Sequence, residues 1–125
     1  MLYAMLCYGS EAVTNAWTKQ QEGEIMAGIR TAEKAFPAGT TLGPVLRLFP
    51  TTTATTLRAG AEPLVVDGPF AETKEQLLGL WVIDCASLEE AIEAGRKLVG
   101  ARGPGSGSLE IRPIMAFKAR DGADE

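Results

Sequence analysis

Two stretches of the chain are apolar on both alternating faces: residues 2–8 (LYAMLCY) and 77–83 (LLGLWVI). A strand with one wet face alternates apolar with polar side chains, so these runs predict central strands covered front and back. Residues 42–48 (LGPVLRL) and 109–115 (LEIRPIM) also read as strands, but each contains a proline, Pro44 or Pro113. Proline has no N–H for the ladder, which places these two runs at sheet edges, at bulges or at strand ends. The threonine-rich 54–58 (ATTLR) suits an extended segment, and 64–66 (LVV) continues it as a hairpin across the turn Gly60 to Pro63. Gly79, inside the second central run, points to a bulge or a close backbone approach.

Helical periodicity occurs twice. Ile25, Ile29, Ala32 and Phe36 recur on one face of a helix predicted over 22–36, which Pro37 and Gly39 stop; Glu33 and Lys34 lie off that face and read as solvated. Ser87 and Glu90 form a capping box that opens a second helix. It runs to about Val99, with Leu88, Ala91, Ile92, Gly95, Leu98 and Val99 inward and Gly100 as its C-cap. Residues 10–23 read as irregular, with Trp17 as their one large apolar anchor. Residues 101–108 read as a flexible loop, and 119–125 as a disordered tail after a single domain over 1–118.

The predicted order is strand, helix, strands, strand, helix, strand. That is the βαββαβ order of a ferredoxin-like α+β sandwich with an antiparallel sheet, whose first and third main strands are central. The two doubly apolar runs occupy those central places, and the two proline-bearing runs occupy the edges. Two helices can cover only one face of such a sheet. The other face needs a cover, because a contiguous exposed apolar face is a liability in a soluble monomer. The simplest cover is the same face of a second copy about a two-fold axis, which gives a dimeric α+β barrel with a space between the sheets. The competing arrangement is a monomer with segment 10–23 or 40–64 folded over the sheet.

Composition narrows the chemistry. The 125 residues are 46% apolar and 22% charged with net charge −4, which suits a globular domain and offers no basic stripe for nucleic acid. No run approaches the ~20 apolar residues of a membrane span, and the N-terminus reads as a strand rather than a signal peptide. With only two cysteines, Cys7 and Cys85, each at an apolar run, a reducing cytoplasm is expected. There is no histidine. That removes Ser-His-Asp and Cys-His nucleophile systems and the commonest neutral-pH base, and a structural zinc site would need more than two cysteines. No metal or cofactor is expected.

Residues 67–84 (DGPFAETKEQLLGLWVID) closely resemble the signature stretch of the DGPF branch of YCII-related proteins. LEIRPIM at 109–115 resembles the closing strand of that family, and TATTLR at 53–58 its threonine-rich strand. The resemblance implies a ferredoxin-like fold that dimerises as an α+β barrel. It leaves the function largely unassigned. A His–Asp pair proposed for lyase chemistry in the wider group cannot be carried over to a chain without histidine. The resemblance also implies a link to extracytoplasmic-function sigma factors.

Candidate site residues follow, each with a plainer alternative. Asp67 begins a turn beside a central strand, where burial can raise a carboxylate's pKa and make it a general base; alternatively it is an Asx-turn residue, with Gly68 and Pro69 as backbone devices. Glu72 and Lys74, clustered with Glu75, can bind a polar ligand or pair across a dimer, or they are solvated charges contributing roughly 0–1 kcal/mol. Arg112 shares a strand face with Glu110 and can clamp a carboxylate or make a structural ion pair. Tyr8 offers a hydroxyl at the end of a central strand. Arg47, Arg58 and Trp81 are further liners, Trp81 fitting core or interface better than a ligand platform. Cys7 and Cys85 read as unreactive. The expected function is a homodimer with a small-molecule pocket between its sheets and carboxylate-based lyase, isomerase or hydrolase chemistry. The alternatives are a non-catalytic regulatory partner and a structural interaction module.

Overall fold

The computed structural model describes residues 1–103 and 106–121. The main elements are β1 (Leu2–Gly9), α1 (Glu11–Thr14), α2 (Lys19–Lys34), β2 (Thr41–Arg47), β3 (Thr55–Arg58), β4 (Leu64–Asp67), β5 (Gln76–Asp84), α3 (Leu88–Arg102) and β6 (Ser108–Pro113). Four strands form one sheet in the order β2-β5-β1-β6, and every neighbouring pair is antiparallel. This is the ferredoxin-like order. The doubly apolar β1 and β5 lie at the centre, and the strands carrying Pro44 and Pro113 form the edges. Pro44 sits where β2 shifts register between Leu42 and Val45, and Pro113 ends β6. The predicted hairpin forms as β3 and β4, a separate two-stranded sheet outside the main one.

Strand alternation sorts the side chains. Tyr3, Met5 and Cys7 of β1 and Trp81 and Ile83 of β5 face α2 and α3, where they join Ile29, Ala32, Ala91, Ala94 and Leu98 in the core. The register pairs Ala4 with Val82, Leu6 with Leu80 and Tyr8 with Leu77 on the opposite face, away from the helices. Gly79 is a close-approach residue: a side-chain carbon there would run into the backbone carbonyl of Leu46 on β2.

Three helix boundaries differ from expectation: both ends of α2, which stops at Lys34 rather than 36, and the end of α3. The first long helix starts at Lys19 rather than 22, because Thr18 and Gln21 form a reciprocal capping box: Gln21 N–H donates to Thr18 Oγ1 (3.1 Å) and Thr18 N–H to Gln21 Oε1 (2.9 Å). The segment expected to be irregular also contains the short α1. The second long helix, α3, passes through Gly100 to Arg102 and stops at Gly103, whose positive φ of 87° a glycine adopts without strain. Ser87 caps α3 as expected, accepting from Glu90 N–H (3.2 Å), but Glu90 Oε2 accepts from the N–H of Ala86 rather than that of Ser87. Of the expected flexible loop, Pro104 and Gly105 lie outside the described residues. So do residues 122–125 of the expected tail, while 119–121 carry no helix or strand. Among the described residues no helix is long and apolar enough to cross a membrane.

The inner face of α3 is narrower than its apolar residues suggested. Ala91, Ala94, Gly95 and Leu98 are buried, whereas Leu88, Ile92 and Val99 are exposed. Small residues let the helix lie close on the sheet, and that fixes its rotation. Two neighbouring substitutions test this phase by urea denaturation. Leu98→Ala is expected to cost about 2–5 kcal/mol and Val99→Ala about 0.5 kcal/mol or less; equal costs would contradict the rotation described.

Candidate functional site

The cleft that the fold creates lies on the helix side, between α2 and the β2–β5 edge of the sheet. Its volume is about 590 Å3. Met26 and Ile29 of α2, Val45 of β2 and Leu78 and Trp81 of β5 give it apolar walls. It exists because α2 leans on β1 and β5 rather than on β2, whose residues 41–47 are all exposed.

Three polar pins hold the walls. Trp81 Nε1–H donates to Glu33 Oε2 (2.8 Å), tying a central strand to the last turn of α2. A buried indole N–H needs an acceptor, and Glu33 supplies it. Glu11, at the start of α1, accepts from Thr51 N–H through Oε2 (2.8 Å) and from Thr51 Oγ1–H through Oε1 (2.5 Å). Its own N–H donates to Gln76 Oε1 (2.8 Å), so α1, the turn after β2 and the start of β5 are joined at one residue. Arg47 of β2 pairs with Glu22 of α2 at 3.4 Å, a solvated contact that guides geometry more than it stabilises. Of the three carboxylates, Glu11 is engaged through both oxygens and Glu22 faces a guanidinium. Glu22 and Glu33 each keep one oxygen, Oε2 and Oε1 respectively, that no donor reaches among the described residues, and of these two carboxylates only Glu33 is not paired with a cation.

The far end of the cleft holds Cys7 of β1 and Arg102, the last residue of α3. Burial pushes the Cys7 thiol above its ordinary value of 9.0, opposed by the charge of Arg102 and by a hydrogen bond with its guanidinium. A thiol kept neutral is a poor nucleophile. Both tryptophans of the chain, Trp17 and Trp81, line the cleft.

The residues singled out in the sequence lie elsewhere. Tyr8 and Arg112 sit on the sheet face turned away from the helices, with Glu110; Tyr8 OH donates to Glu110 Oε1 at 3.4 Å. Asp67 ends β4 opposite Thr55 and is exposed, on the hairpin rather than beside β5. Gly68, which follows it, has φ 97°, and its N–H donates to Ala54 O (2.7 Å). Glu72 and Lys74 are exposed in the following loop and have no ion pair among the described residues. Arg58 reaches Phe70 O at 3.5 Å, also on the hairpin side. Of the wider set of liners, Arg47 and Trp81 do line the cleft.

Sequence reasoning missed Glu11, Arg30, Glu33 and Arg102. Glu33 was read as solvated; it is half-buried because it must meet Trp81. A signal existed, since a core tryptophan demands an acceptor and Glu33 follows Ile29 by one helical turn. Arg102 was lost when the helix was ended at Gly100. Among the described residues no group of three or more Cys, Asp or Glu stands close enough together to hold a metal ion.

Residues 1–118 match the family model described as the YCII-related domain. An uncharacterized protein of Rhizobium meliloti (strain 1021) is 51% identical over 119 residues, covering 94% of this chain and 95% of that protein.

The Cys7 environment predicts an alkaline instability. The folded thiol ionises above 9.0, so the unfolded chain loses its proton first as pH rises. The contribution is complete below that value and is lost as pH climbs towards the folded pKa. Urea midpoints measured from about pH 8 to about pH 10.5 should fall in the parent protein and fall less steeply in Cys7→Ala, whatever the absolute stability of the variant. Parallel slopes would show that Cys7 is not the group concerned.

Proposed function

The chain belongs to the YCII-related domain family, and from that premise we propose that it is a homodimer that holds a small organic molecule in the cleft between α2 and the sheet. The observation that carries this reading is the cleft itself: about 590 Å3, apolar on its walls, with carboxylates and guanidiniums fixed at defined places. That is the composition of a ligand site, where apolar walls give affinity and a few placed polar groups give orientation. The matching family and relative carry no assigned activity, so the reading rests on this geometry.

Pairing uses the other face. Leu6, Leu80 and Val82 stand at its centre, with Tyr8, Glu110 and Arg112 along one side as a polar margin. The hairpin adds exposed Leu57, Leu64 and Val65, with Phe70 just beyond it. In the dimer these side chains meet the partner, and Asp67, Glu72 and Lys74 lie at the rim of that contact. The space between sheets then becomes interface, and the ligand site is the cleft within each subunit.

The chemistry this cleft suits is proton transfer of the lyase or isomerase kind. Glu33 takes the base role that the sequence alone assigned to Asp67, because one of its oxygens is oriented by Trp81 while the other stays available. A second reading, a non-catalytic regulatory partner such as one linked to an extracytoplasmic-function sigma factor, draws on the exposed apolar hairpin, a surface suited to protein contact.

Because both tryptophans line the cleft, intrinsic fluorescence reports an occupant directly. A set of aromatic and aliphatic fragments should include members that shift or quench the emission. Val45→Phe, which fills the cleft from an exposed strand position, should weaken them by about tenfold or more, as loss of the apolar wall requires, with little change in melting temperature. Fragments that bind both proteins equally, or no response to any fragment, would refute the cleft as a ligand site.

A further inference from the structure

The charged groups of the cleft are unequally satisfied. Its three carboxylates all have partners: Glu11 has Thr51, Glu22 has Arg47 and Glu33 has Trp81. Its three guanidiniums do not. Arg47 faces Glu22, but no carboxylate lies within 4.0 Å of Arg30 or Arg102 among the described residues, and neither donates to a backbone carbonyl there. Arg30 is exposed, so water serves it. Arg102 is half-buried, where water serves it less well.

The surroundings of Arg102 are specific. Its Nη2 lies 3.2 Å from the position a side-chain carbon would take on Gly9, so it crosses the end of β1 against bare backbone. It borders both the cleft and the small hollow beside it, formed with Ser10, Trp17, Ile25 and Ser106. Among the described residues its donors meet the Cys7 thiol, a weak partner for a cation that carries five N–H groups. The end of α3 does not absorb it either, since the carbonyls of Val99 and Gly100 accept from Gly103 N–H.

We propose that the occupant of the cleft is a small carboxylic acid whose carboxylate is held by Arg102, with its apolar body between Met26, Val45 and Trp81. This rests on the cleft being a ligand site and adds the chemical class of the ligand. The planar fork of arginine matches a carboxylate with two parallel hydrogen bonds, and the match is strongest where water is partly excluded. A free phosphate fits less well, because it has no apolar body for the walls. The bound carboxylate supplies the acceptors that Arg102 lacks, in a chain whose net charge of −4 otherwise disfavours anions.

Matched pairs test this by tryptophan emission: benzoate against benzamide and 2-naphthoate against 2-naphthamide, with inorganic phosphate as a third arm. The parent protein should bind each acid about tenfold or more tightly than its amide, as a charge-assisted pair requires. Arg102→Gln should bring the acid down to the level of the amide and leave the amide unchanged, which also shows that the variant is folded. Arg102→Lys, which keeps charge without the fork, should fall between. If the amides bind but the acids have no advantage, or keep it in Arg102→Gln, the carboxylate assignment is wrong and the cleft remains a ligand site. If phosphate competes with the acids and outdoes them, the ligand is not a carboxylate. If neither acids nor amides alter the emission, the cleft reading and the role of Arg102 fail together.

Discussion

Two neighbouring strands that are apolar on both faces dictate most of this molecule. β1 and β5 can satisfy their backbone only side by side in a sheet, and they can satisfy their side chains only if both faces are covered. Helices α2 and α3 cover one. On that side Met5, Ile83 and Leu98 are completely enclosed. On the other side Val82 is buried, but Leu6 and Leu80 are only half-buried and Leu46 of the edge strand is exposed, so the chain alone leaves the requirement incompletely met. Burial of apolar surface is the largest favourable term in folding and in most association, and that is the ground for the proposed pairing of this face with a second copy.

The same geometry produces the cleft. Two helices lying on a four-stranded sheet favour the central strands, and α2 leaves β2 uncovered. The gap that results does not collapse because its walls are fixed by directional bonds: Trp81 to Glu33 across the layers, and Glu11 to Thr51 and Gln76 at the lip. These pins convert a packing defect at a sheet edge into a shaped space. Beside these pins Glu33 Oε1 has no donor and the half-buried Arg102 no carboxylate among the described residues, and the proposed ligand site rests on those two groups.

Sequence reading reached the architecture because the architecture rests on local patterns. The doubly apolar runs, the prolines at 44 and 113, and the Ser87 N-cap each act within a few residues, and each appears where expected, although Glu90 reaches back to Ala86 rather than Ser87. Boundaries failed where two local signals competed. Gln21 caps α2 as well as a glutamate would, and Gly100 looked like a stop although Ala101 and Arg102 continue the helix to Gly103. The cleft was illegible for a different reason. Its polar side chains, at positions 11, 33, 47, 81 and 102, belong to five elements and meet only through tertiary packing. The motif that stands out most in the sequence, Asp67 to Phe70, shapes the exit from a hairpin, so prominence in sequence marked a turn rather than the cleft.

The central claim is that the open sheet face pairs with itself. Sedimentation velocity over a wide concentration range tests it most directly, run on the parent chain and on Leu6→Glu, a substitution at the middle of that face. If the face pairs with itself, the parent sediments at twice the chain mass and Leu6→Glu sediments as a folded single chain with an unchanged far-ultraviolet circular dichroism spectrum. A parent that stays monomeric at the highest concentration, or a Leu6→Glu variant that remains dimeric, would contradict it.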